Sequence, residues 1–335
     1  MILYNIIIKM KKKLLYYKIL NFQLTNIKLL EKNFNLKVLP SPDYDTPEIL
    51  KDIEIVFAPL GFFLGKEKID MMPYLKVIAS NTTGTPHIDE EYAGKKGIKV
   101  ISLKGETKFL SKITPTAEHT WGLMLCLIRN VIPSFKSVCE GKWSRWPFGA
   151  PKMLSKMSLG IIGLGRIGKI VAEYGKAFRM TVRFYDPYVP KPHIRGILKV
   201  HSLQELVSKS DVITVHVPLN KETEKMINED IISKFKRGSY FINTSRGNVV
   251  DNQALINALE SGIIAGAAVD VLDDEFERGF EKSVKKHPLV NYACKHSNLI
   301  ITPHIAGSTI DAWRLTQEFT IKSILKYLKI NTGVK

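Results

Sequence analysis

Short hydrophobic runs alternate along the chain with segments whose apolar residues recur at helical spacing. Among the first hundred residues the runs are LLYYKIL, LKVLP, IEIVFAPL, LKVIAS and IKVISL, rich in β-branched and aromatic side chains. Between them lie LTNIKLLEKNF, TPEILKDI, KEKIDMMPYL and IDEEYAGKKG, which carry the helical period. Strands that alternate with helices imply βαβ units, and so a parallel sheet covered on both faces.

A longer apolar segment, TAEHTWGLMLCLIRNVI, predicts a helix that starts around Pro115 and Thr116. GKWSRWPFGAPKM then reads as an irregular connection. After it the alternation restarts. LGIIG, TVRFYD, VITVHVP, SYFINTS, IAGAAVDV and LIITP predict strands, with helices between them, and IDAWRLTQEFTIKSILKYL predicts a closing helix. Two such series followed by a late helix predict an α/β protein of two doubly wound parallel sheets. The first domain, 1–112 and 306–335, is split around an inserted second domain, 113–305.

The second series opens on SLGIIGLGRIGKI, where Gly163, Gly165 and Gly168 stand in G-x-G-x-x-G spacing between a predicted strand and a predicted helix. That context suits a dinucleotide cradle. Gly163 permits the turn, Gly165 lets a pyrophosphate approach the backbone, and Gly168 allows close helix–sheet packing. The helix start at Arg166 and Ile167 offers N–H groups to phosphate. The next strand ends in Asp186, whose carboxylate accepts hydrogen bonds from ribose hydroxyls and repels a 2′-phosphate, which favours NAD over NADP.

Three chemically apt residues follow later strands: Arg246 after FINTS, Glu275 beyond AAVDV and His304 after LIITP. The carboxyl edge of a parallel sheet is where ligands bind. Reduction of a 2-oxo acid needs a carboxylate anchor, a proton donor and a group that favours the donor's protonated form. Arg, His and Glu suit these roles.

Together GLGRIG, YDP, NTSRGNVVD, GAAVDVLDDE and TPHIAGST resemble the D-isomer-specific 2-hydroxyacid dehydrogenases, from about Val77 onward. The resemblance implies a flavodoxin-like substrate domain split around a Rossmann NAD-binding domain, with the active site in the cleft. It implies Arg246 on the substrate carboxylate and carbonyl, His304 as acid/base and Glu275 paired with it. Asp270 would bind the nicotinamide on its carboxamide side, and Thr116 would lie near the nicotinamide. Val217, Pro218 and Thr223 would line the cofactor, and Thr244 would contact it. The backbone amides of Thr82, Thr83 and Gly84 would grip the substrate carboxylate. A homodimer through the inserted domain would use the helix around His119 to Ile128.

The chain also departs from the family pattern. Phe276 stands where Pro usually follows the catalytic Glu, and a long charged stretch to Lys286 precedes HPLV. Pro86-His87-Ile88-Asp89 replaces the usual Asp-Asn-Ile-Asp. The loop APLGFFLG has no basic residue before Lys66, so Phe62 and Phe63 suit a small or apolar substituent rather than a phosphate. A cofactor-sensing corepressor of the same fold, or a formate or phosphite dehydrogenase, are the alternative readings.

Composition changes this picture little. The net charge of +17 raises nucleic acid as a partner, but only ten of the 49 basic residues are Arg and no aromatic-interleaved basic motif occurs. Solvated lysines suffice, and they attract an anionic cofactor and a carboxylate substrate. The three scattered cysteines fit a reducing cytoplasm and give neither a disulfide framework nor a zinc site. No apolar run reaches the ~20 residues of a membrane helix. At the N-terminus the apolar piece precedes the lysines, the reverse of a signal peptide, and Met10 is a second candidate start.

Overall fold

Each hydrophobic series folds into its own parallel sheet. The structure is a computed structural model that describes residues 11–192, 194–277 and 279–330. The N-terminal apolar piece, both candidate start residues and Lys9 lie outside the described residues. The chain divides into two compact units. One takes the chain up to Leu110, Phe276–Arg278 and the chain from Thr309 onward. The other takes Ser111–Glu275 and Gly279–Ser308.

The first unit holds β1 (Lys13–Tyr17), β2 (Asn35–Leu39), β3 (Ile55–Phe57), β4 (Val77–Ala79) and β5 (Lys99–Ile101), all parallel, in the order β2-β1-β3-β4-β5. That is the flavodoxin-like order. Alternate residues of each strand feed two cores. Leu15, Val56 and Ile78 face one side, and Leu14, Ile55, Phe57 and Val77 the other. Ile321, Ile324 and Leu325 of the closing helix Ile310–Tyr327 belong to the second core. Buried Gln317 fastens that helix: its Oε1 accepts from the Gln23 N–H and from Asn26 Nδ2, and its Nε2 donates to Leu20 O at 3.1 Å. The helix read from the end of the chain is thus part of the first sheet's core.

The second unit holds β6 (Ser158–Ile162), β7 (Thr181–Tyr185), β8 (Leu198–Lys199), β9 (Val212–Val215), β10 (Ser239–Asn243), β11 (Ile264–Val269) and β12 (Leu299–Ile301). All are parallel, in the order β12-β11-β10-β9-β6-β7-β8. The chain runs outward from β6 through β7 and β8, then returns to β9 and proceeds the other way. The carboxyl ends of β6 and β9 therefore flank the topological switch point, the usual ligand crevice of such a sheet.

The apolar segment after Thr114 behaves differently from its reading as one helix. Helix Pro115–Ile128 begins with Pro at its first position, where a missing N–H costs nothing. It ends before Asn130, which takes φ +52°, and a second helix, Val131–Cys139, follows. The first of these helices buries Ala117, Trp121, Leu123, Met124, Leu127 and Ile128, whereas the second buries no residue in the chain. Among the described residues no single helix is long and apolar enough to cross a membrane.

Candidate active site

The glycine turn fixes the crevice. Gly163 follows β6 with φ +89°, and a Cβ there would lie 2.8 Å from the His216 carbonyl oxygen. A Cβ on Gly168 would lie 2.1 Å from Gly163 O, so the helix Arg166–Ala177 can pack against the turn only without a side chain. Gly165 has nothing within 4 Å of its Cβ position, which leaves space beside the helix start. The N–H groups of Gly165, Ile167 and Gly168 donate to no described residue. Open amides at the positive end of a helix dipole attract phosphate. Arg166 turns instead to Ile113 O, to which its Nη1 donates at 2.6 Å, and burial pushes its guanidinium down.

Asp186, just past β7, is buried. Its Oδ2 accepts from the Leu164 N–H and its Oδ1 from the Tyr188 N–H, each at 2.9 Å. The carboxylate thus braces the glycine turn, while its remaining lone pairs are available to ribose hydroxyls. The residues present fit a dinucleotide: an open glycine, free amides and an acidic group at the next strand end. Val217 and Pro218 follow β9 beside the turn, Val217 half-buried and Pro218 exposed. Thr223 is used within its own loop, where its hydroxyl donates to Pro218 O at 2.6 Å and accepts from the Asn220 N–H.

Arg246, Glu275 and His304 emerge from β10, β11 and β12, which are neighbours in the sheet. His304 Nδ1 lies 2.7 Å from Glu275 Oε1. A ring whose Nδ1–H is given to a carboxylate exchanges its proton at Nε2, the tautomer being inferred from the partner. Arg246 sits in an extended conformation after the turn, and its Nη1 donates to Ser245 O at 2.6 Å. Burial works against its charge and the Glu275 carboxylate works for it. An Arg stays charged under such opposition. Gly247 explains how the two loops meet, because a Cβ there would lie 2.0 Å from the Leu272 carbonyl carbon.

The supports of these three residues were not foreseen. Asn243, buried, accepts from the Ser245 N–H at 2.9 Å and donates through Nδ2 to Arg246 O at 2.9 Å, so it folds the turn that presents Arg246. An Asn at a strand end before Ser is the sequence signal for such a turn. Asp270, only 1 % exposed, holds the segment around His304. Its Oδ1 accepts from the Ile305 N–H at 3.0 Å and the Thr302 hydroxyl at 2.5 Å, and its Oδ2 from the Ala306 N–H at 2.8 Å. Its carbonyl oxygen accepts from the His304 N–H at 2.8 Å. His304 itself has φ +51°, a strained conformation for a residue with a Cβ, and these bonds hold it there. His119 Nε2 adds a contact to Thr302 Oγ1 at 3.1 Å. Thr244 joins through the Thr120 hydroxyl, 2.7 Å away, which in turn donates to Thr116 O. Thr116, Thr120 and Thr244 thereby tie the helix start to the end of β10.

In the first unit Thr82, Thr83 and Gly84 form the loop after β4. None of their three N–H groups donates to a described residue, so this loop presents a row of open donors. The neighbouring loop after β3 is joined to it by the bond from the Leu64 N–H to His87 O at 2.8 Å. That loop carries Phe62 half-buried and Phe63 exposed. Lys68 nearby is neutralised by Asp45 at 2.9 Å.

Comparison with known proteins identifies the family. Residues 121–306 match the family described as D-isomer specific 2-hydroxyacid dehydrogenase, NAD binding domain. Glyoxylate reductase from Thermofilum pendens is 34 % identical over 292 residues, 84 % of this chain and 80 % of that protein. D-3-phosphoglycerate dehydrogenase from Bacillus subtilis is 32 % identical over 303 residues, 90 % of this chain, which spans only 54 % of that longer protein. Among solved structures, D-lactate dehydrogenase from Aquifex aeolicus, complexed with NAD and lactic acid, superposes with a TM-score of 0.78 at 34 % identity, covering 94 % of this chain and 95 % of that one. The chain is a member of the D-isomer-specific 2-hydroxyacid dehydrogenase family and carries that family's NAD-binding domain.

Proposed function

We propose that the protein interconverts a small, unphosphorylated 2-oxo acid and its D-2-hydroxy acid. The observation that carries this reading is the His304–Glu275 pair at 2.7 Å, beside Arg246 at the carboxyl ends of three adjoining strands. Bound NADH supplies the hydride to the carbonyl carbon. Arg246 binds the substrate carboxylate and carbonyl oxygen, for which its planar fork is suited. His304 protonates the forming alkoxide through Nε2, and Glu275 fixes the ring and balances its positive charge. Asp186 accepts from the ribose hydroxyls and disfavours a 2′-phosphate. Thr116, Val217, Pro218, Thr244 and Asp270 border the nicotinamide half, and the amides of Thr82, Thr83 and Gly84 take the carboxylate.

Phe62 and Phe63, with Lys68 already neutralised, favour an apolar or small substituent over a phosphate. The protein acts as a homodimer through its NAD-binding unit. The surface that favours this is not the helix around His119 to Ile128, most of whose apolar side chains pack within their own unit. It is the segment after it, where Phe135 is 69 %, Trp143 90 % and Trp146 84 % exposed. Large apolar side chains exposed along one short segment are candidates for a covered surface.

The test is NADH oxidation with glyoxylate, pyruvate, hydroxypyruvate, 2-oxoisocaproate and phosphohydroxypyruvate. Turnover of at least one unphosphorylated acid, with phosphohydroxypyruvate inert, is expected. Turnover confined to phosphohydroxypyruvate would refute the substrate class. Tight NADH binding without turnover would favour a cofactor-sensing binding protein.

A further inference from the structure

His87 stands where the family pattern has Asn, and it is 1 % exposed. Burial pushes its imidazole down to about 4, so the ring is neutral at neutral pH and has one donor and one acceptor nitrogen. Nε2 lies 3.3 Å from Ala58 O and 3.1 Å from Ser80 Oγ. A carbonyl oxygen can only accept, so the proton is on Nε2, and Nδ1 is a buried acceptor without a hydrogen-bond partner among the described residues. The direction then propagates. Ser80 Oγ accepts from His87 and donates to Thr82 Oγ1 at 2.8 Å, and Thr82 Oγ1 donates to Gly84 O at 2.6 Å. Each hydroxyl both accepts and donates, and the chain ends on the carbonyl of the loop whose three amides are open.

We propose that His87 is a positioning residue for the substrate-carboxylate loop, acting through Ser80 and Thr82 to fix the orientation of the Thr82–Gly84 amides. This rests on the reading that those amides bind the carboxylate. The unpartnered Nδ1 has a cost, as a buried acceptor without a donor does. The directed relay through Nε2 offsets it. A residue of this kind acts on the ground-state grip of the substrate, so its loss raises KM and changes kcat little.

The experiment compares His87→Phe, His87→Gln and Ser80→Ala with the wild type. Phe keeps a ring but no donor, Gln keeps a donor near the Nε2 position, and Ser80→Ala cuts the relay without disturbing the imidazole. Thermal melting checks that each variant folds. Steady-state kinetics on the best 2-oxo acid is run alongside amide NMR of the wild-type NADH complex titrated with oxamate, an unreactive 2-oxo acid analogue. The expected result is a KM raised about three- to tenfold in His87→Phe and Ser80→Ala, the scale of one hydrogen bond. His87→Gln stays near the wild type, NADH affinity is unchanged, and the Thr82, Thr83 and Gly84 amides shift with oxamate. Wild-type KM in both His87→Phe and Ser80→Ala, or a Gln variant as impaired as Phe, overturns the proposal while shifting amides leave the loop reading intact. Amides that do not respond to oxamate overturn both.

Discussion

A methyl group on each glycine of the cradle meets a different neighbour, and this separates folding from binding within one turn. At Gly168 it meets backbone at 2.1 Å, and at Gly165 it meets nothing. Gly168→Ala is expected to destabilise by about 1–3 kcal/mol or more, since backbone cannot step aside as a flexible side chain can. Gly165→Ala is expected to melt like the wild type yet weaken NADH binding about tenfold, because its methyl occupies the phosphate's approach. Melting curves and NADH fluorescence titration check both. The glycines, Asp186, Arg246, Glu275 and His304 were legible in the sequence as candidates because each lies at or just beyond a strand end within a recognisable local motif. Asp270 was legible as a candidate but not as the clamp on the His304 turn, and the relay from His87 was not legible at all. Their partners depend on which loops the fold brings together: Ala306 is 36 positions from Asp270, and Ala58 is 29 from His87.

At the scale of elements, the strands were legible from their apolar runs except β8. That strand is only two residues long, at a sheet edge, with Leu198 exposed, and so carries no hydrophobic signal. The break at Asn130 was hidden inside a continuous apolar pattern, because only the left-handed backbone there marks it. The charged insertion after Glu275 is closed by side chains at its two ends. Asp273 accepts from His287 Nε2 and from Asn252 Nδ2, and the His287 hydrogen bond holds its carboxyl below the usual carboxylate range. A carboxyl lowered in the folded state adds stability above its unfolded value of about 3.9, and that stability is lost as pH falls through the folded value. Asp273→Asn is therefore expected to melt below the wild type at pH 6, with the gap narrowing below about pH 4. A gap independent of pH would mean that this contact contributes by shape alone.

For the whole molecule, the split order of the two sheets was legible because a helix at the far end of the chain follows two complete strand–helix series. The proposed assembly surface was less so, since GKWSRWPFGAPKM reads as irregular and the helix before it was not resolved from its neighbour. Phe135→Asp is expected to halve the solution mass of the protein by light scattering if a second copy covers that face. An unchanged dimer would locate the interface elsewhere. The central claim is that one histidine moves the proton, and it is tested most directly by His304→Ala. NADH affinity by fluorescence should change less than about threefold, since the ring does not brace the cradle, while kcat for the best 2-oxo acid falls by about 10²–10⁴, the usual worth of a positioned acid/base. Wild-type turnover in that variant would contradict the account.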